Sequence, residues 1–379
     1  MRHRRHAFLP ALALLGCAGN SGTAPAAAEA GARPFAVQEI AKFDAPWAMT
    51  FLPDGQRALI TEKAGKLKLW QAGTNRIVEV SGVPAVDAGG QGGLGDVVVH
   101  PRFAQNGLVY LSWAEAGEGD TRGAAVGRAR LVTDPAGARL ENLQVIWRQS
   151  PKVSGRGHFG HRLAFAPDGH LFITNGEREK FAPSQDVGQH LGKIVRLRDD
   201  GTTPRDNPWA SRGGVTAQLW SMGHRNPLGI AFAPDGRLWT HEMGPKNGDE
   251  FNLIERGSNY GYPTVSNGNH YDGRDIPDHP TRPEFNAPEI TWNGVSPAGL
   301  MIYTGRLFPQ WRGNAFLGGL SGKTLIRVAM SGNTAREAER WDMGQRIREV
   351  EQGPDGAIYV LEDERGGSGG RLLRLAPAR

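Results

Sequence analysis

Apolar residues in this chain occur mostly in short runs, rich in Val, Ile, Leu, Phe and Trp, that turn-forming residues separate. This pattern predicts many short β-strands and few helices. One phrase recurs, in which a Pro-Asp-Gly turn lies between two such runs. Its four clear copies have their turns at residues 53–55, 167–169, 234–236 and 354–356. Proline presets φ, aspartate can bond its own backbone and glycine takes the positive φ, so each copy predicts a hairpin.

Two looser copies, around Pro101 and Pro297, bring the phrase to six occurrences at intervals of 48 to 67 residues. A hairpin that recurs at such a period is typical of a β-propeller with one repeat in each blade. The sequence therefore predicts an all-β fold, a six-bladed β-propeller with four-stranded blades. We expect strands at Phe35–Ile40 and Arg371–Leu375 to pair and close the ring. A β-sandwich also has short strands, but it would not repeat one turn phrase six times.

The N-terminal residues do not belong to this repeat. Residues 1–6 are basic and residues 7–16 form an apolar run too short to cross a bilayer, which is typical of an export signal. Cys17 follows directly, as in a bacterial lipoprotein signal, where the cysteine receives a lipid; the alternative is cleavage further on with loss of Cys17. The expected organisation is a signal peptide at 1–17, a flexible tether at 18–33 and the propeller domain at 34–379.

The apparent basicity of the chain comes largely from this signal. The formal net charge is +5, and removal of residues 1–17, which hold three arginines and no acidic residue, leaves +2. Nothing in this charge indicates nucleic acid as a partner. Cys17 is the only cysteine, so the domain has no disulfide although we expect export to the periplasm. No apolar run has membrane-spanning length, and both a monomer and a homodimer remain open.

Two loops that precede repeats carry candidate chemistry. Residues 90–95 fit G-x-G-x-x-G by letter, but a strand-like run follows where a dinucleotide fold needs a helix, so a nicotinamide cofactor is disfavoured. We interpret the stretch as a tight loop that offers Gln91 to a ligand. His158 lies before the third repeat, without the partners of a zinc site, and suits a general base. The alternative for His158 is a packed or exposed histidine with no role.

Three further segments have polar groups suited to anions or cations. Arg225 and Asn226 supply a fixed cation and an amide that can polarise a carbonyl or hold a carboxylate. The segment 242–263 combines Gly-Pro carbonyls with carboxylates, which suits calcium, although EF-hand spacing is absent. Arg346 and Arg348 are two residues apart and share one face of a predicted strand. They indicate either a solvated pair or a cradle for a small polycarboxylate.

In this order, the motifs resemble those of the soluble dehydrogenases of glucose and other aldoses that depend on pyrroloquinoline quinone (PQQ). The resemblance covers about residues 35–376. The phrases that carry it are Gly-Gln-Gly-Gly-Leu, His-Phe-Gly-x-Arg-Leu, Gly-x-Arg-Asn-Pro-x-Gly, Gly-Pro-x-x-Gly-Asp-Glu, Asn-Tyr-Gly-Tyr-Pro and Arg-Ile-Arg-Glu. It implies a PQQ cofactor, calcium and oxidation of an aldose at C1 to the lactone, with hydride transfer to PQQ and electrons passed to an external acceptor.

The resemblance also implies roles for individual residues. His158 matches the catalytic base and Arg225 the cation beside the quinone oxygens. The implied PQQ contacts are Gln91, Arg225, Asn226, Arg346 and Arg348, with Tyr271 and Trp292 as aromatic neighbours of cofactor and sugar. Gly244 and Pro245 match backbone ligands of the calcium that PQQ chelates, and Glu250 and the Tyr260 carbonyl match ligands of a further calcium.

The chain departs from the family pattern at two positions. Relatives commonly have a cofactor-binding lysine directly after the Gly-x-Leu of the fifth blade, where this chain has Ser321. Lys323 comes two positions later and is the candidate replacement, because two positions preserve strand parity. Gly157 stands where many relatives have Asp or Asn, which leaves open what orients His158.

Two other functions stay open: a non-catalytic propeller that binds sugar or protein, and a calcium-dependent propeller lactonase.

Overall fold

The computed structural model describes residues 33–135, 137–365, 367 and 369–378. The expected signal peptide, Cys17 and all but the last residue of the expected tether lie outside these residues. Within them, 24 strands form six four-stranded blades. The predicted all-β propeller is therefore confirmed. Helices in the described ranges are one turn long, as in α1 (Phe103–Asn106), and none has the length and apolar character needed to cross a membrane.

The strands are numbered in chain order, and within each blade they follow one another from the centre of the ring outwards. Blade one contains β2 (Pro46–Phe51), β3 (Arg57–Glu62), β4 (Lys66–Gln71) and β5 (Arg76–Ser81); blade two contains β6 (Leu94–Val99), β7 (Leu108–Ala116), β8 (Arg122–Asp134) and β9 (Gly137–Arg148); blade three contains β10 (Gly160–Phe165), β11 (Leu171–Asn175), β12 (Lys193–Leu197) and β13 (Leu219–Met222).

The second half of the ring repeats the arrangement. Blade four contains β14 (Pro227–Phe232), β15 (Leu238–Glu242), β16 (Asp249–Ile254) and β17 (Ile290–Trp292); blade five contains β18 (Pro297–Ile302), β19 (Ala315–Gly319), β20 (Thr324–Ser331) and β21 (Thr334–Asp342); blade six contains β22 (Ile347–Gln352), β23 (Ile358–Glu362), β24 (Arg371–Pro377) and, outermost, β1 (Phe35–Lys42).

The four Pro-Asp-Gly turns join the innermost strand to the second strand in blades one, three, four and six. In each, the aspartate Oδ1 accepts a hydrogen bond of 2.9–3.1 Å from the backbone N–H two residues later, and the glycine has φ between 67° and 87°. The predicted turn chemistry is therefore confirmed. The assignment of Pro297 to the fifth such turn is wrong, because Pro297 begins β18 and residues 303–314, with a 3₁₀ turn at Pro309–Trp311, make that connection.

The ring closes through blade six, as predicted. Strand β1 pairs antiparallel with β24, from Phe35 opposite Pro377 to Lys42 opposite Arg371. Blades one and two have an additional link, because β5 and β9 pair in parallel at Val80 and Ala138. These two blades therefore form a continuous eight-stranded sheet, which the expectation of six separate four-stranded blades did not include.

Six clusters of buried apolar side chains fill the six interfaces between neighbouring blades. A buried ion cluster lies at the centre of the ring instead. The Arg162 guanidinium stacks 4.1 Å from the Trp47 ring centroid, contacts Glu349 and lies 3.4 Å from Asp96 Oδ1. A β-bulge within the first four residues of every innermost strand changes the alternation of side chains around this axis.

Candidate active site

Loops from all six blades meet at one end of the central channel and enclose two adjoining cavities. We call the smaller one, of about 160 Å³, the inner cavity; its wall includes Lys63, Arg346 and Arg348. We call the larger one, of about 630 Å³, the outer cavity; its wall includes His158 and Arg225. Gln91, Met243 and Ser296 line both cavities, so the two cavities adjoin at these residues.

His158 has a fixed orientation at the wall of the outer cavity. Its backbone N–H donates to Gln91 Oε1 at 2.9 Å, and its Nδ1 donates to the Glu177 carboxylate through a short hydrogen bond. Its backbone has φ of 47°, which is uncommon for a non-glycine residue. Nε2 has no hydrogen-bond partner among the described residues. With the proton on Nδ1, Nε2 is the nitrogen available to accept a proton from a bound molecule.

Glu177 is the residue that orients His158, and sequence reasoning missed it. The departure from the family pattern at Gly157 had left this role unassigned. Its carboxylate is fully buried and also accepts a hydrogen bond of 2.6 Å from the backbone N–H of Phe181. Burial acts to raise the pKa of Glu177, but the hydrogen bond and charge of His158, the Phe181 N–H and the charge of Arg225 together lower it. Glu177 therefore stays ionised and accepts the hydrogen bond from the proton that His158 carries on Nδ1.

Arg178, the next residue, fastens the loop that carries His158. Its buried guanidinium donates to the carbonyl oxygens of Gly157 at 2.8 Å, Gly155 at 2.6 Å and Arg122 at 2.8 Å. It also stacks 3.8 Å from the Phe159 ring centroid. Burial lowers the pKa of Arg178 to about 10, still far above neutrality. The side chains of Glu177 and Arg178 thus hold the imidazole and its loop respectively.

Arg225 and Asn226 are held by a second buried acid that sequence reasoning missed. Glu242 Oε2 accepts the backbone N–H of Arg225 at 2.5 Å and that of Asn226 at 3.2 Å. Arg225 donates from one terminal nitrogen to the Met243 carbonyl at 2.9 Å, but its buried Nε has no partner within the described ranges. The buried Nδ2 of Asn226 has none there either. These unpaired donors are available to a bound acceptor.

Two tyrosines flank Arg225 in the outer cavity. The ring centroids of Tyr262 and Tyr271 each lie 5.9 Å from its guanidinium carbon. Tyr271 is 75% exposed and stands at the mouth of the cavity, as expected for a residue that contacts a ligand. Tyr262, which sequence reasoning missed, is buried, and this burial raises its pKa to about 12. Tyr262 therefore stays neutral at physiological pH.

Arg346 and Arg348 face the inner cavity and contact the same acid. Arg346 Nε lies 2.8 Å from Asp363 Oδ2, and a terminal nitrogen of Arg348 lies 3.3 Å from that oxygen. Although burial acts to raise the pKa of Asp363, the charges of Arg348 and Arg346 outweigh it and lower the pKa. The two guanidiniums thus converge on a negative group, as the predicted cradle requires, and that group is an internal carboxylate.

Two residues that the resemblance implied lie away from both cavities. Lys323 is exposed in the turn between β19 and β20, with φ of 53°, whereas Ser321 lines the inner cavity. Trp292 is buried between blades four and five, where its Nε1 donates to Glu337 Oε2 at 2.6 Å. Asn226 lines neither cavity but lies directly beneath them, because its Oδ1 accepts the backbone N–H of Gly160 at 3.2 Å.

The four residues implied as calcium ligands lie in two places. Gly244 and Pro245 line the outer cavity, where a Cβ at Gly244 would overlap the carbonyl oxygen of Gly248. Glu250 and Tyr260 are buried inside blade four and away from the cavities. Glu250 pairs with Glu242 across β15 and β16, and burial together with the charge of Glu242 raises the pKa of Glu250 well above its usual range.

The groups around Glu250 include further oxygen atoms. Asn252 Nδ2 donates to Glu250 Oε2 at 3.3 Å, while the buried Asn252 Oδ1 has no partner among the described residues. The Tyr260 carbonyl accepts a hydrogen bond of 3.3 Å from His279 Nε2. No group of three or more His, Cys, Asp or Glu side chains in the described part of the chain has the arrangement of a metal site. Any calcium site in this region therefore depends on carbonyl and amide oxygens as well as carboxylates.

Comparison with known proteins identifies relatives along almost the whole domain. Residues 43–374 match the glucose/sorbosone dehydrogenase family. The chain is 43% identical over 345 residues to the aldose sugar dehydrogenase YliI of Escherichia coli strain K12, a match that covers 89% of this chain and 91% of that protein. It is also 29% identical over 313 residues to quinoprotein glucose dehydrogenase B of Acinetobacter calcoaceticus, covering 76% of this chain and 64% of that one.

Solved structures agree with these sequence matches. The soluble aldose sugar dehydrogenase of Escherichia coli, in its apo form, superposes with a TM-score of 0.84 at 40% identity, covering 91% of this chain and all of that one. The PQQ-bound aldose sugar dehydrogenase of Streptomyces coelicolor superposes with a TM-score of 0.73 at 26% identity, covering 90% of this chain and 98% of that one. The chain belongs to the glucose/sorbosone dehydrogenase family.

Proposed function

We propose that this protein is a PQQ-dependent aldose sugar dehydrogenase, which oxidises the C1 hydroxyl of an aldose to the lactone and passes the electrons to an external acceptor. One arrangement carries the proposal. A histidine with a free Nε2, oriented by a buried carboxylate, lines the same cavity as a fixed guanidinium. That pairing offers a proton acceptor and a cation to one bound substrate, which suits removal of a hydride from an alcohol.

The residues present fit PQQ. The inner cavity offers two arginines to a polycarboxylate, and the outer cavity offers Arg225, whose Nε is unpaired, to quinone oxygens. The unpaired Asn226 Nδ2 lies beneath the cavities. Gln91 lines both cavities and is well placed to bond the cofactor between them. The PQQ-bound relative from Streptomyces coelicolor supports the same cofactor. PQQ supplies the group that accepts the hydride from C1 when it is bound.

The residues also fit calcium. Gly244 and Pro245 line the outer cavity, and their backbone carbonyls are hard oxygen donors of the kind that calcium prefers. Glu250 and the Tyr260 carbonyl form a second candidate set, beside the unpaired Asn252 Oδ1 and opposite Glu242, and together these groups supply the oxygen donors that calcium prefers.

The residues of the chain divide the catalytic work as follows. His158 Nε2 accepts the proton of the C1 hydroxyl, and the Glu177 carboxylate stabilises the resulting imidazolium. Arg225, anchored by Glu242 and Met243, stabilises negative charge that develops on an acceptor oxygen. Tyr262 and Tyr271 flank that guanidinium. Arg178 keeps the His158 loop in position during these steps.

A reconstitution assay tests the proposal. Purified apo-protein should reduce an artificial dye with glucose or another aldose only when PQQ and calcium are both added. Failure to bind PQQ would contradict the proposal and leave a non-catalytic binding propeller. Turnover of lactones without an electron acceptor would instead indicate a hydrolase. A panel of aldoses in the same assay identifies the preferred sugar.

The cellular setting belongs to the same proposal. We infer export to the periplasm, with Cys17 as the site of a lipid anchor, from the N-terminal sequence. Metabolic labelling with a palmitate analogue, compared between the wild type and Cys17→Ser, tests the anchor. Release of the wild-type protein by osmotic shock without any lipid label would contradict the anchor and retain the export.

A further inference from the structure

The cations of the inner cavity come from two neighbouring blades. Blade six contributes Arg346 and Arg348, and blade one contributes Lys63, which directly follows β3. The two arginines already contact Asp363. The Lys63 ammonium, in contrast, has no ion pair or hydrogen bond with any residue in the described ranges. Lys63 is thus a cation of this wall that no carboxylate of the described residues neutralises.

The backbone of Lys63 is fixed at the cavity wall. Its N–H donates to the Ala45 carbonyl at 3.0 Å, and its own carbonyl accepts the Leu94 N–H at 3.1 Å. Gly93, with φ of 116°, lies against it, and a Cβ at Gly93 would overlap the Lys63 carbonyl oxygen and lie 2.7 Å from Lys63 Cγ. Gly93 therefore leaves the room that the Lys63 stem occupies. A ligand that binds Lys63 has to order only the distal part of one side chain.

The charges of the cavity also favour an additional cation. Arg346, Arg348 and Asp363 together carry a single net positive charge, which does not balance a tricarboxylate such as PQQ. Glu364 and Arg365 are exposed at the rim and offset each other. Lys323, the lysine that the sequence offered for this role, lies outside both cavities. Lys63 is the remaining lysine in the wall of the inner cavity.

We propose that Lys63 is a cofactor-binding residue that contacts a carboxylate of PQQ from blade one, beside the arginine pair of blade six. This inference rests on the proposed function, since it assumes PQQ as the ligand. Lys63 raises the affinity for PQQ and helps to fix the position of the cofactor in the inner cavity. It plays no part in proton transfer, because His158 lies in the outer cavity.

The test is a titration of apo-protein with PQQ, followed by absorbance and by quenching of tryptophan fluorescence. Lys63→Met keeps the apolar stem and removes the charge, and it should weaken binding about tenfold, the effect of one charge-assisted contact. Lys63→Arg should bind within about threefold of the wild type. The matched controls are Lys66→Met, an exposed lysine in the same blade, and Lys323→Met, and both should bind as the wild type does.

Two further readouts separate a direct contact from a structural effect. The PQQ affinity of Lys63→Met should depend less steeply on salt than that of Lys66→Met, because one ion pair with the ligand is missing. Adding Ser321→Lys, which puts a cation elsewhere on the inner wall, should restore part of the affinity of Lys63→Met. Equal dissociation constants and equal salt slopes for Lys63→Met and Lys66→Met would overturn the inference. Absence of PQQ binding by the wild type would overturn the proposed function instead.

Discussion

The two ends of the candidate site are built differently. At the base end, His158, Glu177 and Arg178 are buried, and Nδ1 of the imidazole, its backbone N–H and its loop each have a protein partner. At the cradle end, Arg346 and Arg348 have side chains 21% and 15% exposed and share one carboxylate of Asp363. The base end has fixed geometry before any ligand arrives, whereas the cradle end has an internal anion that a ligand can join or displace.

This difference follows from what each end has to do. Proton transfer requires the acceptor nitrogen within hydrogen-bond reach in one orientation, and a displacement of about 1 Å is costly. Left-handed backbone conformations at Arg178, Glu179 and Phe181, with φ of 62°, 59° and 62°, persist because the surrounding contacts enforce them. Binding of a polycarboxylate depends more on charge than on orientation, so side chains with some freedom serve it.

The largest effect that separates the two ends is expected at His158. His158→Gln removes the proton acceptor and should lower kcat by about 10²–10⁴-fold. PQQ should still bind within about threefold of the wild type, because the cradle is intact. Steady-state dye reduction and PQQ titration on the same preparation check both statements. A variant that keeps its turnover would remove His158 from the mechanism.

Glu177 should give the next largest effect. Glu177→Gln keeps a hydrogen-bond partner for Nδ1 but removes the charge that favours the imidazolium, so kcat should fall by about 10–100-fold. The loss should appear in kcat and leave the PQQ dissociation constant nearly unchanged, because Glu177 contacts the base and not the cradle. A purely structural role for Glu177 would weaken PQQ binding as well.

Substitutions at the cradle end should change the affinity for PQQ and leave kcat nearly unchanged. Arg346→Met should weaken PQQ binding by about tenfold or more and leave kcat at saturating PQQ nearly unchanged. Asp363→Asn, the matched partner variant, should bind PQQ more tightly at low salt because the competing anion is gone. If Arg346→Met lowered kcat while affinity stayed constant, the division into two ends would be wrong.

The smallest effect concerns stability and pH. The folded protein lowers the pKa of Glu177 below its ordinary value of 4.5, because the contacts with His158, Phe181 and Arg225 outweigh the opposing effect of burial. The carboxylate therefore stabilises the fold above pH 4.5, and this contribution disappears as the pH falls through the lowered pKa. The wild type should unfold about 2 °C above Glu177→Gln at about pH 6, and the gap should shrink below about pH 4. Melting curves of the two proteins at both values of pH measure it.

Local chemistry explains which parts of the fold the sequence predicted. Four turns were predictable because Pro, Asp and Gly fulfil their roles within three residues, and the structure shows those roles. The fifth blade has no such triplet, since its connection contains the 3₁₀ turn at Pro309–Trp311, and Pro297 was therefore misplaced. The parallel link between β5 and β9 also left no signal, because it consists of two residue pairs about 60 positions apart in the chain.

The candidate site, like the fold, was predictable from the sequence only in part. The sequence pointed to Gln91, His158, Arg225 and Arg346, each in a loop directly before an innermost strand, and the structure places all four in the cavity walls. The acids that anchor three of these residues were missed. They are Glu177, Glu242 and Asp363, which lie at or just after the ends of second strands, 17 to 19 residues further along the chain. One signal was available, since β3, β15 and β23 end in Glu62, Glu242 and Glu362, and Glu177 follows β11 by two residues.

Two predictions relied on strand parity, the alternation of side chains along a strand. The structure agrees with the prediction for Arg346 and Arg348 and not with the one for Lys323. Lys323 does not continue the parity of β19, because it lies in a turn and has a positive φ. Arg348 lies at the bulge between Ile347 and Glu349, where the alternation shifts, and yet it faces Asp363 together with Arg346. Parity is informative only where the strand is regular, and in this fold the innermost strands are irregular near the site.

The pairing that closes the ring also determines the face of the propeller on which the described chain begins. Lys42 pairs with Arg371, beside the loop that carries Asp363, whereas Phe35 pairs with Pro377 at the far end of the strand. A strand of this length spans about 25 Å. The chain therefore enters the domain on the face of the Pro-Asp-Gly turns, opposite both cavities. The proposed lipid on Cys17 would therefore be attached through the face opposite both cavities, and the attachment would leave the cavities unobstructed.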